Sequence, residues 1–256
     1  MLALVKDIHG EVPVMEGARV FAQLWALEPG NHLNEVLNMP HFQPQVFTIT
    51  LRHTDWWWWE DDATMSIKSM FVDRCRFPDS VKEISMELES VERRKDQVDS
   101  IAEQIASQWQ FTRKDGTRLA VNPETAPEIT RWTGTSAWEN HRWIRDESRP
   151  GQLDYYMVTL TWTSFESDGG LPDPPTKAAQ IFATRGTNPS NRGAVSLFRS
   201  LEMWEMERAN VTLNTPAQEA IKLITEARRA RAEEIRAQRS AGMRRSQRLS
   251  PRRQRQ

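Results

Sequence analysis

The sequence is poor in cysteine, with Cys75 alone among 256 residues. A single cysteine excludes an intramolecular disulfide and a zinc site built on several thiolates, and it is typical of a reducing compartment. Long apolar runs are also missing. No stretch approaches the roughly 18 apolar residues that cross a bilayer, and residues 1–30 lack the continuous apolar core of a signal peptide. We therefore expect a soluble protein of the cytoplasm or nucleus that is not secreted and does not bind a membrane.

The net charge of −1 hides a division of charge along the chain. Residues 226–256 hold 11 arginines and three glutamates and so carry +8, which leaves −9 on residues 1–225. The chain is long enough for one large domain or two small ones. Its hydrophobic and charged fractions, 38% and 27%, are typical of a globular protein with a polar extension. The sequence thus predicts an acidic folded body joined to a basic C-terminal extension.

Apolar and polar residues alternate with the period of a half-buried strand over Phe47–Leu51, Ile84–Leu88 and Tyr156–Trp162. The period becomes helical over about residues 91–108, which predicts an amphipathic helix with one apolar stripe. Asp115-Gly116 between two extended runs predicts a hairpin. Together these patterns predict an α+β fold, with a mainly antiparallel sheet on which the helix packs.

Helical patterns also occur near both ends of the chain. Met15, Ala18 and Phe21 have helical spacing, although glycine and β-branched neighbours weaken a helix prediction there. Near the C-terminus, Thr215 and Gln218 form a capping box around a proline at the first helical position, so a helix should begin there. The predicted organisation is a Trp-rich α+β domain over 1–166, a Pro/Gly-rich linker or loop over 167–192, a C-terminal helical segment over 193–238 and a disordered Arg-rich tail over 239–256.

Tryptophan is unusually frequent, with 11 residues, nine of them between Trp56 and Trp162. Indoles stack on sugars, nucleobases and proline-rich peptides, but they also pack between strands. Packing is favoured for most of the set. The run Trp56–Trp59 differs, because a strand would send two rings to each face, and an exposed pair beside carboxylates is a plausible docking patch. The candidate ligand- or partner-binding residues are Trp56, Trp57, Trp58, Trp59, Asp61 and Asp62, with buried packing as the alternative.

No motif specifies a reaction, so the sequence favours a protein without enzymatic activity and predicts no cofactor and no metal. Residues 53–62 contain imidazole and carboxylate groups, but their spacing matches no known metal site. Ser136 and His141 lack the signature of a nucleophile loop. Cys75 lies between two arginines that could activate its thiol, although a buried, inert thiol is the favoured interpretation. A hydrolase or carbohydrate-active protein that uses residues 53–62 remains an alternative hypothesis.

The C-terminal arginines are candidates for nucleic-acid contact or nuclear targeting. The segment holds too little apolar surface to order itself, so we expect it to be disordered. Alternatives are contact with the protein's own acidic body or an acidic partner, and a solvated tail. No aromatic residue lies among the arginines, so binding would be to phosphates without base stacking. The candidate residues are Arg244, Arg245, Arg248, Arg252, Arg253 and Arg255.

Three segments resemble a group of uncharacterised fungal proteins. They are the tryptophan run His53–Glu60, Arg76–Asp99 and Arg131–Glu147. Some related sequences resemble F-box-associated proteins, but residues 1–45 carry no F-box signature. The resemblance implies a fungal origin and brings no activity, ligand or fold with it.

The leading hypothesis is an intracellular interaction protein, in which an acidic, Trp-rich body presents a surface to an unknown protein partner and a basic tail targets it. The alternative is a nucleic-acid-associated protein that binds phosphates nonspecifically through the tail.

Overall fold

A computed structural model describes residues 15–27, 31–164, 177–184 and 199–248, with the backbone alone for residues 31 and 241–248. The chain divides into two compact units. Unit 1 comprises Met1–Thr133 and Asp154–Asn188, and unit 2 comprises Gly134–Leu153 and Pro189–Gln256. Each unit combines two separate stretches of chain. The consecutive segments predicted from the sequence, with boundaries at 166, 192 and 238, stay a prediction.

The described ranges contain both strands and helices, so the fold is α+β. The strands are β1 (Met15–Phe21), β2 (Pro44–Leu51), β3 (Ser66–Lys68), β4 (Glu83–Val91), β5 (Phe111–Thr112), β6 (Arg118–Val121), β7 (Glu128–Thr135), β8 (Ala137–Trp138), β9 (His141–Arg142), β10 (Gln152–Thr163), β11 (Gln180–Phe182) and β12 (Leu201–Glu202). The helices are α1 (Leu24–Leu27), α2 (Asn31–Leu37), α3 (Met70–Arg74), α4 (Lys95–Gln108), α5 (Met203–Arg208) and α6 (Ala217–Arg248).

Unit 1 is organised around a seven-stranded sheet of order β1-β2-β4-β10-β6-β5, with β7 beside β10. The strands β1, β2 and β4 pair in parallel, whereas β10 is antiparallel to both β4 and β6. The sheet is therefore mixed, where the sequence had predicted a mainly antiparallel one. Alternation along a strand reveals which face it buries but not the direction of its neighbour. The long connections over 22–43 and 52–82 are what allow the parallel pairs.

Helix α4 contacts β4 through the apolar stripe that the sequence predicted. Its buried residues are Val98, Ile101, Ala102 and Ile105. The helix begins at Lys95, four residues later than predicted, because β4 continues to Val91 and a 3₁₀ turn fills Glu92–Arg94. A hydrogen bond of 2.5 Å from the Tyr156 hydroxyl to Asp99 joins α4 to β10.

An aromatic cluster forms one end of the core of unit 1. The ring centroids of Phe111 and Trp162 lie 5.0 Å apart, and those of Phe71 and Trp109 lie 5.3 Å apart. The Trp162 indole N–H donates to the Trp109 carbonyl oxygen at 2.9 Å. Both indoles are fully buried, which confirms core packing for these two tryptophans.

Unit 2 contains the hairpin β8–β9, with β12 paired to β9, and the helices α5 and α6. Helix α6 begins at Ala217, immediately after Thr215 and Pro216, as the capping pattern predicted. The first turns of α6 pack into a small apolar core. The buried members of this core are Ile144, Leu201, Met206, Val211, Ala220 and Ile224.

A buried ion pair holds the loop before α6 against β9. The Arg142 guanidinium donates to the Glu147 carboxylate through Nε and Nη2, at 2.7 and 2.8 Å. The same guanidinium donates to the carbonyl oxygens of Thr212 and Thr215, at 3.1 and 2.7 Å. Both charged side chains are excluded from solvent. The guanidinium is satisfied by Glu147 and the loop, and the carboxylate also accepts hydrogen bonds from the Ser136 hydroxyl and the Gly151 backbone N–H.

Two irregular segments of the sequence analysis turn out to contain regular structure. Gln180–Phe182, inside the predicted linker or loop 167–192, forms β11 and pairs antiparallel with β3. Its three residues are too few to show a period among the surrounding glycines and prolines, although Ile181 is fully buried. The rest of 167–192 lies outside the described residues.

The predicted disordered tail, 239–256, is also corrected in part. Helix α6 continues to Arg248, because alanine, arginine and glutamine are strong helix formers even where no core is available. Residues 249–256 lie outside the described ranges. None of the helices in those ranges combines the length and apolar character that crossing a bilayer requires.

Candidate functional site

The four consecutive tryptophans lie in a compact turn rather than in a strand. A 3₁₀ turn over His53–Asp55 follows β2, and a second one over Trp59–Asp61 ends the run. The Asp55 carboxylate accepts a hydrogen bond of 2.9 Å from the Arg52 backbone N–H and closes the first turn. The alternation of rings expected for a strand is therefore wrong here. We call residues 53–62 the tryptophan turn.

The tryptophan turn buries its outer two indoles and exposes its inner two. Trp56 and Trp59 are 2% and 7% exposed, whereas Trp57 is 39% and Trp58 66% exposed. The Trp56 indole N–H donates to the Glu89 carbonyl oxygen at 2.8 Å and so anchors the turn to β4. Two neighbouring rings thus lie at the surface, while the flanking rings fix the backbone beneath them.

A chain of ring contacts connects the tryptophan turn with β10 and β7. The buried His53 ring packs edge-on against Trp59, with centroids 5.2 Å apart, and lies 6.5 Å from the Tyr155 ring. Tyr155 in turn stacks on Trp132 at 5.4 Å. Trp132 is exposed, and the sequence had assigned it to packing. The exposed aromatic surface of unit 1 therefore includes a residue from β7 that lies far from the turn in sequence.

Trp58 adopts a left-handed backbone conformation, with φ +54° and ψ +35°. This conformation costs a residue other than glycine about 1–2 kcal/mol. Hydrogen bonds from the Asp61 and Ala63 backbone N–H groups to the Trp58 carbonyl oxygen, at 3.0 and 3.3 Å, hold the backbone in place. Since the ring itself is mostly exposed, its packing offsets little of that cost. Strained residues that present a side chain to solvent are concentrated at binding sites.

The carboxylates predicted for the site divide into two kinds. Asp62 lies 2.7 Å from an Arg93 guanidinium nitrogen and within 3.9 Å of the buried Arg94, so it takes part in the local ion pairing. Asp61 is exposed, and Glu60 is half-buried. These acidic side chains directly follow the tryptophan run in the sequence, and their role as the rim of a docking patch stays a prediction.

The polar groups beneath the turn are buried. His53 Nδ1 lies 3.1 Å from the Ser90 hydroxyl, and neither residue is exposed to solvent. Burial raises the pKa of the Glu89 carboxyl, and the hydrogen bond that it accepts from the His53 backbone N–H opposes this shift. Because no substrate can reach the histidine or the serine, these contacts stabilise the turn and offer no nucleophile.

The other groups considered for catalysis are engaged elsewhere. Burial raises the pKa of the Cys75 thiol to about 11, so the thiol stays protonated at neutral pH and is inert. The Ser136 hydroxyl donates to Glu147 at 2.5 Å, and His141 Nδ1 contacts the Glu139 carbonyl oxygen at 2.8 Å, so the serine and histidine do not pair. Among the residues that the structure describes, no three histidine, cysteine, aspartate or glutamate side chains converge as metal ligands.

The predicted C-terminal candidates fall into two groups. Arg244, Arg245 and Arg248 belong to the last turns of α6, whereas Arg252, Arg253 and Arg255 lie outside the described residues.

Sequence analysis missed a groove beside the same helix in unit 2. The exposed Trp204 of α5 and the arginines of α6 line this groove, and Trp204 is too distant in sequence from the terminal arginines to be grouped with them.

Comparison with known proteins adds nothing to this geometry. The resemblance to fungal sequences therefore stays a prediction, and the placement of the rings and charges is the basis for assigning a function. No protein-family model, curated protein or solved structure matches the chain.

Proposed function

We propose that this protein is a non-enzymatic interaction protein that binds a protein partner through Trp57 and Trp58. The observation that carries the proposal is the split of the tryptophan run, in which two buried indoles anchor the turn and two adjacent indoles lie at the surface. Tryptophan is the residue most enriched among the energetic anchors of protein interfaces. The left-handed conformation of Trp58 supports the proposal, because packing of its mostly exposed ring offsets little of the cost of that conformation.

The charge around the rings favours a cationic partner. Between Asp55 and Ile67 the chain has four carboxylates and no lysine or arginine. Two of these carboxylates, on Asp55 and Asp62, form ion pairs with Arg52 and Arg93. Glu60 and Asp61 directly follow the tryptophan run in the sequence, and residues 1–225 carry −9 in total. A guanidinium or ammonium group can lie over an indole face and gain from the carboxylates at its edge.

The first prediction concerns binding of an arginine-containing peptide. A short labelled peptide of alternating glycine and arginine should bind the protein, and the double variant Trp57→Ala/Trp58→Ala should bind it about 5- to 30-fold more weakly, since each of the two exposed cation–π contacts contributes about 0.5–1 kcal/mol. Isothermal titration gives the two dissociation constants. The same peptide with citrulline in place of arginine removes the charge and should bind weakly to both proteins.

Two controls separate binding from folding. Trp58→Gly and Trp58→Ala both remove the ring, but only glycine relieves the left-handed backbone, so the glycine variant should be more stable by about 1 kcal/mol. Both should lose the same affinity. Trp204→Ala, which removes an exposed indole of unit 2, should bind the peptide normally. Equal affinity of the wild type for the arginine and citrulline peptides, or unchanged binding by the double variant, contradicts the proposal.

A second function, nonspecific binding of nucleic-acid phosphates by α6, is favoured by a separate observation. Arg229, Arg231, Arg236 and Arg239 are exposed on the helix, and none of them forms an ion pair with a side chain that the structure describes. Such uncompensated guanidinium groups attract phosphates and make binding depend on salt. The continuation of α6 to Arg248 places Arg244, Arg245 and Arg248 on the same helix as the other arginines.

The second prediction is a change in salt dependence. The triple variant Arg229→Gln/Arg236→Gln/Arg239→Gln should reduce the log–log slope of single-strand affinity against salt by about 2, since each phosphate contact contributes about 0.7. Fluorescence anisotropy at four salt concentrations gives the slope. Lys82→Gln, an exposed cation of unit 1, is the control and should leave it unchanged. A triple variant with the wild-type slope would exclude α6 as the contact.

Two further expectations from the sequence, the location and an enzymatic role for residues 53–62, stay untested. The cytoplasm or nucleus is the proposed location. The hydrolase or carbohydrate-active hypothesis for residues 53–62 stays a prediction without a named substrate.

A further inference from the structure

A groove lies between α5 and α6 within unit 2. Its volume is about 300 Å³, which is at the small end of ligand clefts and suits one flat ring. The floor is apolar and includes the buried Ile224 and the half-buried Ala227. The walls carry Trp204 from α5 and Arg231 from α6. An apolar floor beside an indole and a guanidinium combines the two surfaces that a nucleotide needs.

Trp204 supplies the aromatic surface. Its ring is 49% exposed, and its indole N–H donates to a Glu202 carboxylate oxygen at 3.1 Å, which fixes the orientation of the ring. The Arg208 guanidinium lies 5.6 Å from the ring centroid. An oriented, half-exposed indole with a guanidinium at its face is a platform on which a base can stack, and every base can use it.

The cations of the groove differ in availability. Arg228 donates to both oxygens of the Glu205 carboxylate, at 2.8 Å for the Nε contact, and is thereby compensated. Arg231 lines the same groove, is exposed and forms no ion pair with a described side chain. Arg229, Arg236 and Arg239 continue the row of exposed arginines along the helix. Phosphates on either side of a stacked base would therefore meet uncompensated positive charge.

One carboxylate opposes an anionic ligand. Glu234 lines the groove one turn beyond Arg231 and has no ion pair among the described side chains. Its negative charge should repel a phosphate at the groove. Removing that charge should strengthen binding, which a purely structural role for the groove would not produce.

We propose that the groove binds single-stranded nucleic acid, with one base stacked on Trp204 and the adjoining phosphates on Arg231 and the exposed arginines of α6. The proposal rests on the second proposed function, phosphate binding by α6, and adds the preference for unpaired bases. It differs from the sequence-based expectation that base stacking is absent. The terminal segment has no aromatic residue, but the fold brings the indole of α5 beside the arginines of α6.

The test uses the full chain and two labelled probes, a 20-nucleotide oligothymidylate and a 20-base-pair duplex. Trp204→Ala should weaken single-strand binding by about 5- to 100-fold, because stacking on an aromatic side chain contributes about 1–3 kcal/mol per base. It should leave duplex binding unchanged. Trp204→Phe should retain most of the single-strand affinity, and Glu234→Gln should tighten binding of the strand by a few-fold. Trp25→Ala, which removes a 50% exposed indole of unit 1, is the matched control.

The outcomes distinguish this proposal from the one on which it rests. If Trp204→Ala binds the single strand as the wild type does while the triple arginine variant binds weakly, phosphate binding stands and stacking is overturned. If the wild type binds neither probe, phosphate binding fails and the stacking proposal fails with it. Equal weakening of strand and duplex by Trp204→Ala also overturns the preference for unpaired bases. Circular dichroism of each variant confirms that the fold is retained.

Discussion

Glu147→Gln should lower the free energy of unfolding by about 3–5 kcal/mol, because it leaves a guanidinium buried without its counter-charge. The Arg142 side chain is fully excluded from solvent, and Glu147 is its only charged acceptor among the bonds described for it. Glutamine has the same shape and keeps one acceptor oxygen, so the loss reports the charge rather than a cavity. The carbonyl oxygens of Thr212 and Thr215 cannot neutralise the cation that remains. Urea unfolding followed by circular dichroism gives the difference.

A second ion pair, Arg228–Glu205, serves as the comparison, because its arginine is more exposed than Arg142. Arg228 and Glu205 also form a two-point guanidinium–carboxylate contact, but the Arg228 side chain is 53% exposed. Glu205→Gln should therefore cost no more than about 1 kcal/mol. Because both pairs belong to unit 2, the comparison isolates burial as the cause. If Glu147→Gln lowered the free energy of unfolding by no more than Glu205→Gln does, the burial of the Arg142–Glu147 pair would not increase its contribution to stability.

Trp162→Ala should destabilise the protein by about 3–5 kcal/mol, since it removes a fully buried indole from the aromatic cluster of unit 1. The substitution removes one of the ring contacts of Phe111 and leaves the Trp109 carbonyl oxygen without its indole donor. Thermal and urea unfolding measure the loss. The near-ultraviolet circular dichroism should also change, because the environment of neighbouring aromatic rings changes.

Trp58→Ala is the control for Trp162→Ala. It removes the same side chain from a position that is 66% exposed, and the free energy of unfolding should change by no more than about 0.5 kcal/mol. The two results together would divide the tryptophans into those that build the fold and those that present a surface. Similar losses in both variants would contradict the assignment of Trp58 to an interaction surface.

The helices and strands that the sequence predicted are those whose hydrophobic periodicity continues over many residues. Helix α4 was predicted because four apolar residues recur at helical spacing over four turns, and β10 because alternation continues from Tyr156 to Trp162. Segment β1 was misleading, since Met15, Ala18 and Phe21 have helical spacing yet belong to an edge strand. An edge strand buries little on either side, so its alternation is weak, and the parallel partner β2 decides its conformation.

The candidate site was predicted in its residues but not in its geometry. Four adjacent tryptophans left two alternatives, a solvent-facing pair of indoles or buried packing, and the structure leaves Trp57 and Trp58 at the surface. Two 3₁₀ turns, rather than strand alternation, decide which rings these are. The groove that Trp204 lines together with Arg228 and Arg231 of α6 could not be predicted, because it depends on how α5 packs beside α6 and no local spacing records that.

The pairing of β4 with β10 has a consequence for synthesis on the ribosome. Leu88 pairs with Val158, which lies seventy positions later in the chain. Translation proceeds at roughly 5–20 residues per second, so β4 waits for several seconds before its antiparallel neighbour has been made. During that interval α4 and the β5–β6 hairpin can form from local contacts, whereas one edge of β4 stays open to other chains. The nascent protein should therefore be most prone to aggregation before residue 163 leaves the ribosome, and least prone once β10 has closed that edge.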